Sequence, residues 1–114
     1  MKKTFPFIMV LAFALLLTAP LYGATWKNVP LTDSNCASRV KADPDAHTRS
    51  CIINCADSGF GILTADGSFL KFDASGNKTA LALLKSSDKT NHIRVTVEGT
   101  LKDDTISVQS MSLE

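Results

Sequence analysis

The chain has 114 residues, a formal net charge of +1, three cysteines and two histidines. With 12 basic side chains against 11 acidic, it has no strong field to hold a polyanion, so nucleic acid is not an expected partner. The length suits a single small domain, whose modest core favours a covalent or metal staple.

The chain opens with the pattern of a cleaved export signal. Lys2 and Lys3 form a basic start, and Phe5 to Ala19 is an apolar run with one proline, followed by small residues. The run is shorter than the roughly 20 residues that span a bilayer, and no second such run follows. No cysteine ends it, which argues against a lipid anchor there. Cleavage after Gly23 gives a signal peptide, residues 1–23, and a mature domain, residues 24–114. The mature chain is expected in the periplasm or outside the cell, without a membrane span. The signal takes Lys2 and Lys3, so the 12 basic side chains fall to 10, against 11 acidic. Export places the cysteines where they can oxidise.

Thr25 to Leu31 reads as a first strand, with Trp26 as a core anchor and Pro30 ending the strand or marking an edge. Asp33-Ser34-Asn35-Cys36 is a polar, turn-forming cluster. Asp43-Pro44-Asp45 reads as a helix start, with Asp43 as cap and Pro44 in the first helical position. That helix is expected to run to about Ala56, and Gly59 then takes positive φ. Its span sets His47, Cys51 and Cys55 at four-residue steps on one helix face.

Beyond Gly59 the pattern turns to strands. Phe60 to Thr64 and Ser68 to Asp73 flank Ala65-Asp66-Gly67, a hairpin signal. Ala74 to Asn77 reads as a loop. Lys78 to Lys85 reads as a short helix with Ala80, Leu81 and Leu84 as its buried stripe. His92 to Leu101 alternates, with Ile93, Val95 and Val97 on one face and Gly99 at a bulge or bend. Asp103-Asp104 belongs to a turn, and Thr105 to Leu113 is the last strand. Its apolar parity changes between Val108 and Met111, which predicts a bulge near Gln109.

The predicted fold is mainly β (α+β). It is a small five-stranded OB-like barrel with a helical insertion after strand 1 and a short helix between strands 3 and 4. An open meander with helices on one side is the alternative. The aromatics Trp26, Phe60, Phe69 and Phe72 suit the core as well as a stacking surface, and Tyr22 leaves with the signal.

All three cysteines and His47 lie between Asp33 and Cys55. Three pairings are open to three cysteines, and one thiol is always left over. A disulfide from Cys36 to Cys51 or Cys55 is the preferred reading. It closes a loop of roughly 16–20 residues, worth about 3 kcal/mol in the chain-entropy model. The second reading is a soft-metal site for zinc or copper on Cys36, His47, Cys51 and Cys55. On a regular helix His47 and Cys55 stand about 12 Å apart, too far for one ion. The smaller set of Cys36, Cys51 and Cys55 is therefore easier, and His47 joins only if the helix ends early. The third reading is thiol–disulfide exchange, with Arg49 beside a reactive thiol. An acyl-transfer thiol paired with His47 ranks lower, because no oxyanion donor can be named. His92 reads as a solvated residue, and Asp43 and Asp45 as capping residues. No phosphate loop, dinucleotide fingerprint, zinc-protease helix or serine elbow is present.

The order Asp33, Ser34, Cys36, His47, Cys51, Cys55, together with the ending RVTVEGTLKDDTISVQSM, resembles a family of small exported bacterial OB-like domains of unknown function. The resemblance spans roughly Leu31 to Leu113. It implies an OB-like fold and export, and it implies no chemistry. The expectation is thus a non-enzymatic exported domain that binds an unidentified ligand or envelope protein, with no cofactor beyond a possible zinc or copper ion.

Overall fold

The structure, a computed structural model, describes residues 23–114. The expected signal segment lies outside the described residues except for Gly23. Among the described residues no helix is long and apolar enough to cross a membrane.

Five strands close a barrel in the order β1-β2-β3-β5-β4. They are β1 Ala24–Asp33, β2 Phe60–Leu63, β3 Phe69–Phe72, β4 Arg94–Lys102 and β5 Thr105–Leu113. Neighbours pair antiparallel, except that β3 and β5 close the barrel in parallel at Lys71↔Thr105 and Phe72↔Ile106. A helix, Ala74–Ser86, lies between β3 and β4. This is the OB-like arrangement that the order of elements predicts, and the open meander is excluded.

Strand β1 serves two partners. Its first half pairs with β4, and Leu31, Thr32 and Asp33 pair with β2. The register with β4 shifts between Trp26 and Val29, where Asn28 has φ 51° and its N–H donates to the Thr96 hydroxyl. This bulge bends the strand. Of the two expectations for Pro30, that it ends the strand is not met, since β1 runs on to Asp33. Pro30 pairs with Arg94 at the last β4 position before the strand passes to β2, so its missing N–H breaks no continuous ladder.

Alternation along the strands fills the barrel. Leu31, Phe60, Ile62, Phe72, Val95, Val97 and Ile106 are buried, and Trp26, Met111 and Leu113 pack against them half-buried. Phe69 is half-buried at the start of β3. The bulge in β5 falls where parity requires it. Glu98 pairs with Ser110 and Gly99 with Val108, so Gln109 is the extra residue.

The helix after β3 starts four residues earlier than the expected Lys78. Asp73 caps it by accepting the Gly76 N–H, and the same carboxylate oxygen accepts the Val108 N–H. A polar first turn, Ser75-Gly76-Asn77, hides this start in the sequence. Ala80 and Leu84 are buried on the barrel as predicted, and Leu81 is half-buried.

The insertion between β1 and β2 differs most from expectation. In place of one helix from Asp43 to Ala56 it holds a short helix α1, Ala37–Val40, a 3₁₀ turn at Pro44–Ala46 and a helix α2, Arg49–Asn54. A second 3₁₀ turn, Ala56–Ser58, follows before Gly59 at φ 88° leads into β2. Asp43 makes no capping bond. His47 is extended, at φ −72° and ψ 122°, and Thr48 starts α2 afresh by accepting the Cys51 N–H on its hydroxyl. Tertiary bonds hold the break open. The Asp45 carboxylate receives two bonds from Arg94 of β4, and the Asp45 carbonyl accepts the His92 N–H. Arg49 donates to the carbonyls of Lys89 and Leu84, and its N–H donates to Thr90. The insertion is thus tied at two points to the segment around the start of β4. The helix after β3 is α3 in chain order.

Candidate functional site

The site begins where β1 ends. The Asp33 side chain is fully buried and accepts two bonds. The Cys36 N–H donates to its Oδ2 at 3.0 Å, and His47 Nε2 lies 2.9 Å from its Oδ1. The first bond folds Asp33 to Cys36 into a turn and fixes the cysteine at the start of α1. The second draws His47 inward, until its side chain is only 10% exposed. Because a carboxylate only accepts, the hydrogen of this bond is on Nε2, which in the neutral ring leaves the lone pair on Nδ1.

The other wall comes from the end of α2. The Ser34 N–H donates to the Gly59 carbonyl, and the Asn35 N–H donates to the Ser58 hydroxyl. The Asn35 side-chain amide lies 3.9 Å from Cys55 Sγ. These bonds zip the turn after β1 to the turn after α2 and bring Cys36 and Cys55 to 4.5 Å. The Arg39 guanidinium donates to Cys36 Sγ at 3.0 Å, setting a positive charge on the sulfur.

Donor atoms of Asp33, Cys36 and His47 all lie within 4.8 Å of one another. Cys36, His47, Cys51 and Cys55 line one open cavity of about 440 Å³, together with Arg39, Val40 and Asn54. Cys36 and Cys55 are half-buried, and Cys51 is exposed. The Asn35 hydrogen bond favours the Cys55 thiolate. Loss of hydration and the negative charges of Asp33 and Cys36 outweigh it, and the Cys55 pKa lies above its ordinary value.

All four predicted residues line one cavity, though not in the predicted way, and of the four only Cys36 and His47 belong to the close cluster with Asp33. They do not share one regular helix face, since His47 precedes α2 and Cys55 follows it. The helix break removes the separation that kept His47 out of the site. Asp33, read from the sequence in a turn and in the pattern that carries the resemblance, was not expected among the site residues. A carboxylate three residues before a cysteine was its signal. The expected disulfide is not formed, and all three cysteines are free. Arg49 does not take the role expected of it. Its guanidinium is spent on main-chain carbonyls, and Arg39 takes the place proposed for it. His92 is exposed, and its ring lies 2.9 Å from the side-chain oxygen of its neighbour Asn91.

Asp33, His47 and Cys36 have the residue types of a thiol nucleophile, its base and an orienting acid. The main-chain N–H of the nucleophile is a common oxyanion donor in such enzymes. Here the Cys36 N–H is taken by Asp33, so that donor is occupied.

No family model matches the chain, and no curated protein and no solved structure matches it.

Proposed function

We propose that this protein is an exported, non-catalytic OB-like domain that binds one soft metal ion, zinc in the first instance, through Cys36, Cys55 and His47. Asp33 holds His47 from behind. The observation that carries this reading is the convergence of a carboxylate, a thiol and an imidazole within 4.8 Å, beside a second thiol 4.5 Å from the first. Two sulfurs and a nitrogen suit zinc and cuprous copper alike. A carboxylate bonded to the far nitrogen of a histidine ligand is the supporting arrangement of zinc sites, and it favours zinc here. Cys51 is exposed on the same cavity and is the further thiol we propose as a fourth ligand. Export and the family resemblance support the reading only as context.

The test is metal analysis of the reduced protein after exposure to zinc, with a competing chromophoric chelator to give the affinity. One equivalent of tightly held zinc is expected, lost in Cys36→Ser and His47→Ala. Protein that takes up no zinc refutes the reading, and preference for copper(I) corrects its choice of metal.

A second reading has its own observation. The 4.5 Å approach of Cys36 and Cys55 favours a disulfide between these two, with the domain acting as a binding or structural module of the cell envelope. Among the three possible pairings it supports Cys36–Cys55. A mass lower by two hydrogens in protein isolated without reductant would support it.

A further inference from the structure

We infer that zinc and a Cys36–Cys55 disulfide are mutually exclusive states of this one site, so that oxidation releases the ion and the ion protects the thiols. The inference rests on the metal reading above and adds the regulation of that site.

The geometry requires the competition. The two sulfurs that stand 4.5 Å apart are also two of the three ligands. A disulfide needs about 2.05 Å between sulfurs, so a closure of only a few ångströms converts one state into the other. Both cysteines sit at the ends of short helices. Cys36 precedes the four-residue helix α1, and Cys55 lies just past the last turn of α2, at φ −103° and ψ 21°. Neither occupies the middle of a strand or a long helix. The cavity is open, and both residues are half-buried rather than sealed. A small oxidant therefore has access. A sulfur bonded to sulfur no longer carries the thiolate that zinc needs, and a thiolate bonded to zinc is a weaker nucleophile toward a disulfide.

The oxidant is a small-molecule disulfide such as oxidised glutathione. One protein thiol loses its proton, and its sulfur attacks a glutathione sulfur. The glutathione S–S bond breaks, a mixed disulfide forms and one glutathione thiolate leaves. The second protein thiol, also deprotonated, attacks the protein sulfur of that mixed disulfide and expels the second glutathione. The protein loses two hydrogens in all, and the oxidant becomes two molecules of glutathione. His47 and Asp33 keep their places throughout. Cys51 takes no part and remains a free thiol.

The experiment uses the purified protein, reduced and metal-free, treated with oxidised glutathione in the absence and presence of saturating zinc. Without zinc the mass should fall by two hydrogens, and peptide mapping after alkylation should find the bond between Cys36 and Cys55, with Cys51 alkylated. Zinc affinity of the oxidised protein should drop by at least about 100-fold, the scale expected when ligands are removed rather than merely misoriented, and return with reductant. With zinc present, oxidation should slow by at least about tenfold, because the attacking thiolates are coordinated. Cys51→Ser should form the same bond, and Cys55→Ser should not. A bond that includes Cys51, or zinc retained at full affinity after the Cys36–Cys55 bond has formed, overturns the gate and leaves the metal reading standing. Reduced protein that binds no zinc refutes the metal reading and the gate together.

Discussion

Replacing Asp33 by asparagine separates the fold of this site from its chemistry. The carboxylate is fully buried and accepts two bonds, from the Cys36 N–H at 3.0 Å and from His47 Nε2 at 2.9 Å. An amide of the same shape has one acceptor and one donor end. If its nitrogen faced the Cys36 N–H, two donors would confront each other and a buried N–H would go unpaired, at about 1–3 kcal/mol. If its oxygen faces Cys36, its nitrogen faces His47, and the imidazole can answer by moving its hydrogen from Nε2 to Nδ1. The second arrangement keeps both bonds and wins. It exchanges two charge-assisted bonds for two neutral ones, a loss of about 1–2 kcal/mol in total. For a domain of this size that is about 4–8 °C of melting temperature per kcal/mol. The new tautomer covers the nitrogen that would take the metal, so zinc affinity should fall by about 10–100-fold. Nitrogen-detected NMR of His47 gives the tautomer, urea unfolding gives the stability, and chelator competition gives the affinity. A variant that keeps the Nε2 hydrogen and full zinc affinity would show that Asp33 does not govern His47. Asp33→Ala removes both acceptors and should destabilise more, by about 2–5 kcal/mol, since two buried donors are then unpaired.

Three further outcomes follow from the barrel. A methyl group on Gly99 would lie 2.3 Å from the Ser107 carbonyl oxygen and 2.8 Å from Ile106 Cγ2, so Gly99→Ala must push β4 from β5. A loss of at least about 2 kcal/mol in urea unfolding is expected, and unchanged stability would contradict the observed bulge register. The Asp45–Arg94 pair ties the insertion to β4, but its side chains are 26% and 31% exposed. A double-mutant cycle with Asp45→Asn and Arg94→Met should therefore give a coupling of no more than about 1 kcal/mol. The Asp66 carboxyl is held below its ordinary value of 3.8, first by the Thr64 hydroxyl and then by the Ser68 N–H. The folded chain thus binds this proton less readily than the unfolded chain. Its contribution to stability is complete above the ordinary value and disappears as pH falls through the lowered one. An NMR titration should place the Asp66 midpoint below 3.8, and Thr64→Val should move it back upward.

The strands were legible because half-buried strands advertise themselves by alternation. Val95 and Val97 face the core, and Arg94, Thr96 and Glu98 face out. The parity change between Val108 and Met111 even located the Gln109 bulge. The Asp-Gly turn after β2 was equally plain, with Gly67 at φ 86°. The insertion was not legible in this way. Asp43-Pro44-Asp45 is a sound local start for a helix. Local preference there is worth only tenths of a kcal/mol per residue. The two bonds that Arg94 donates to Asp45, 49 positions away, and the His92 bond to the Asp45 carbonyl override it.

Pattern and spacing alone specify five strands in a β-rich chain, a helix between β3 and β4 and the gathering of soft donors into one short stretch. These depend on residues read against near neighbours, where period and spacing suffice. Which donors meet was decided only by the tertiary structure. The buried Asp33 at the end of β1 reaches His47 across 14 positions, and the turns at Asn35 and Ser58 carry Cys36 to Cys55. Contacts between segments that distant depend on how the barrel closes, and no local pattern encodes that closure.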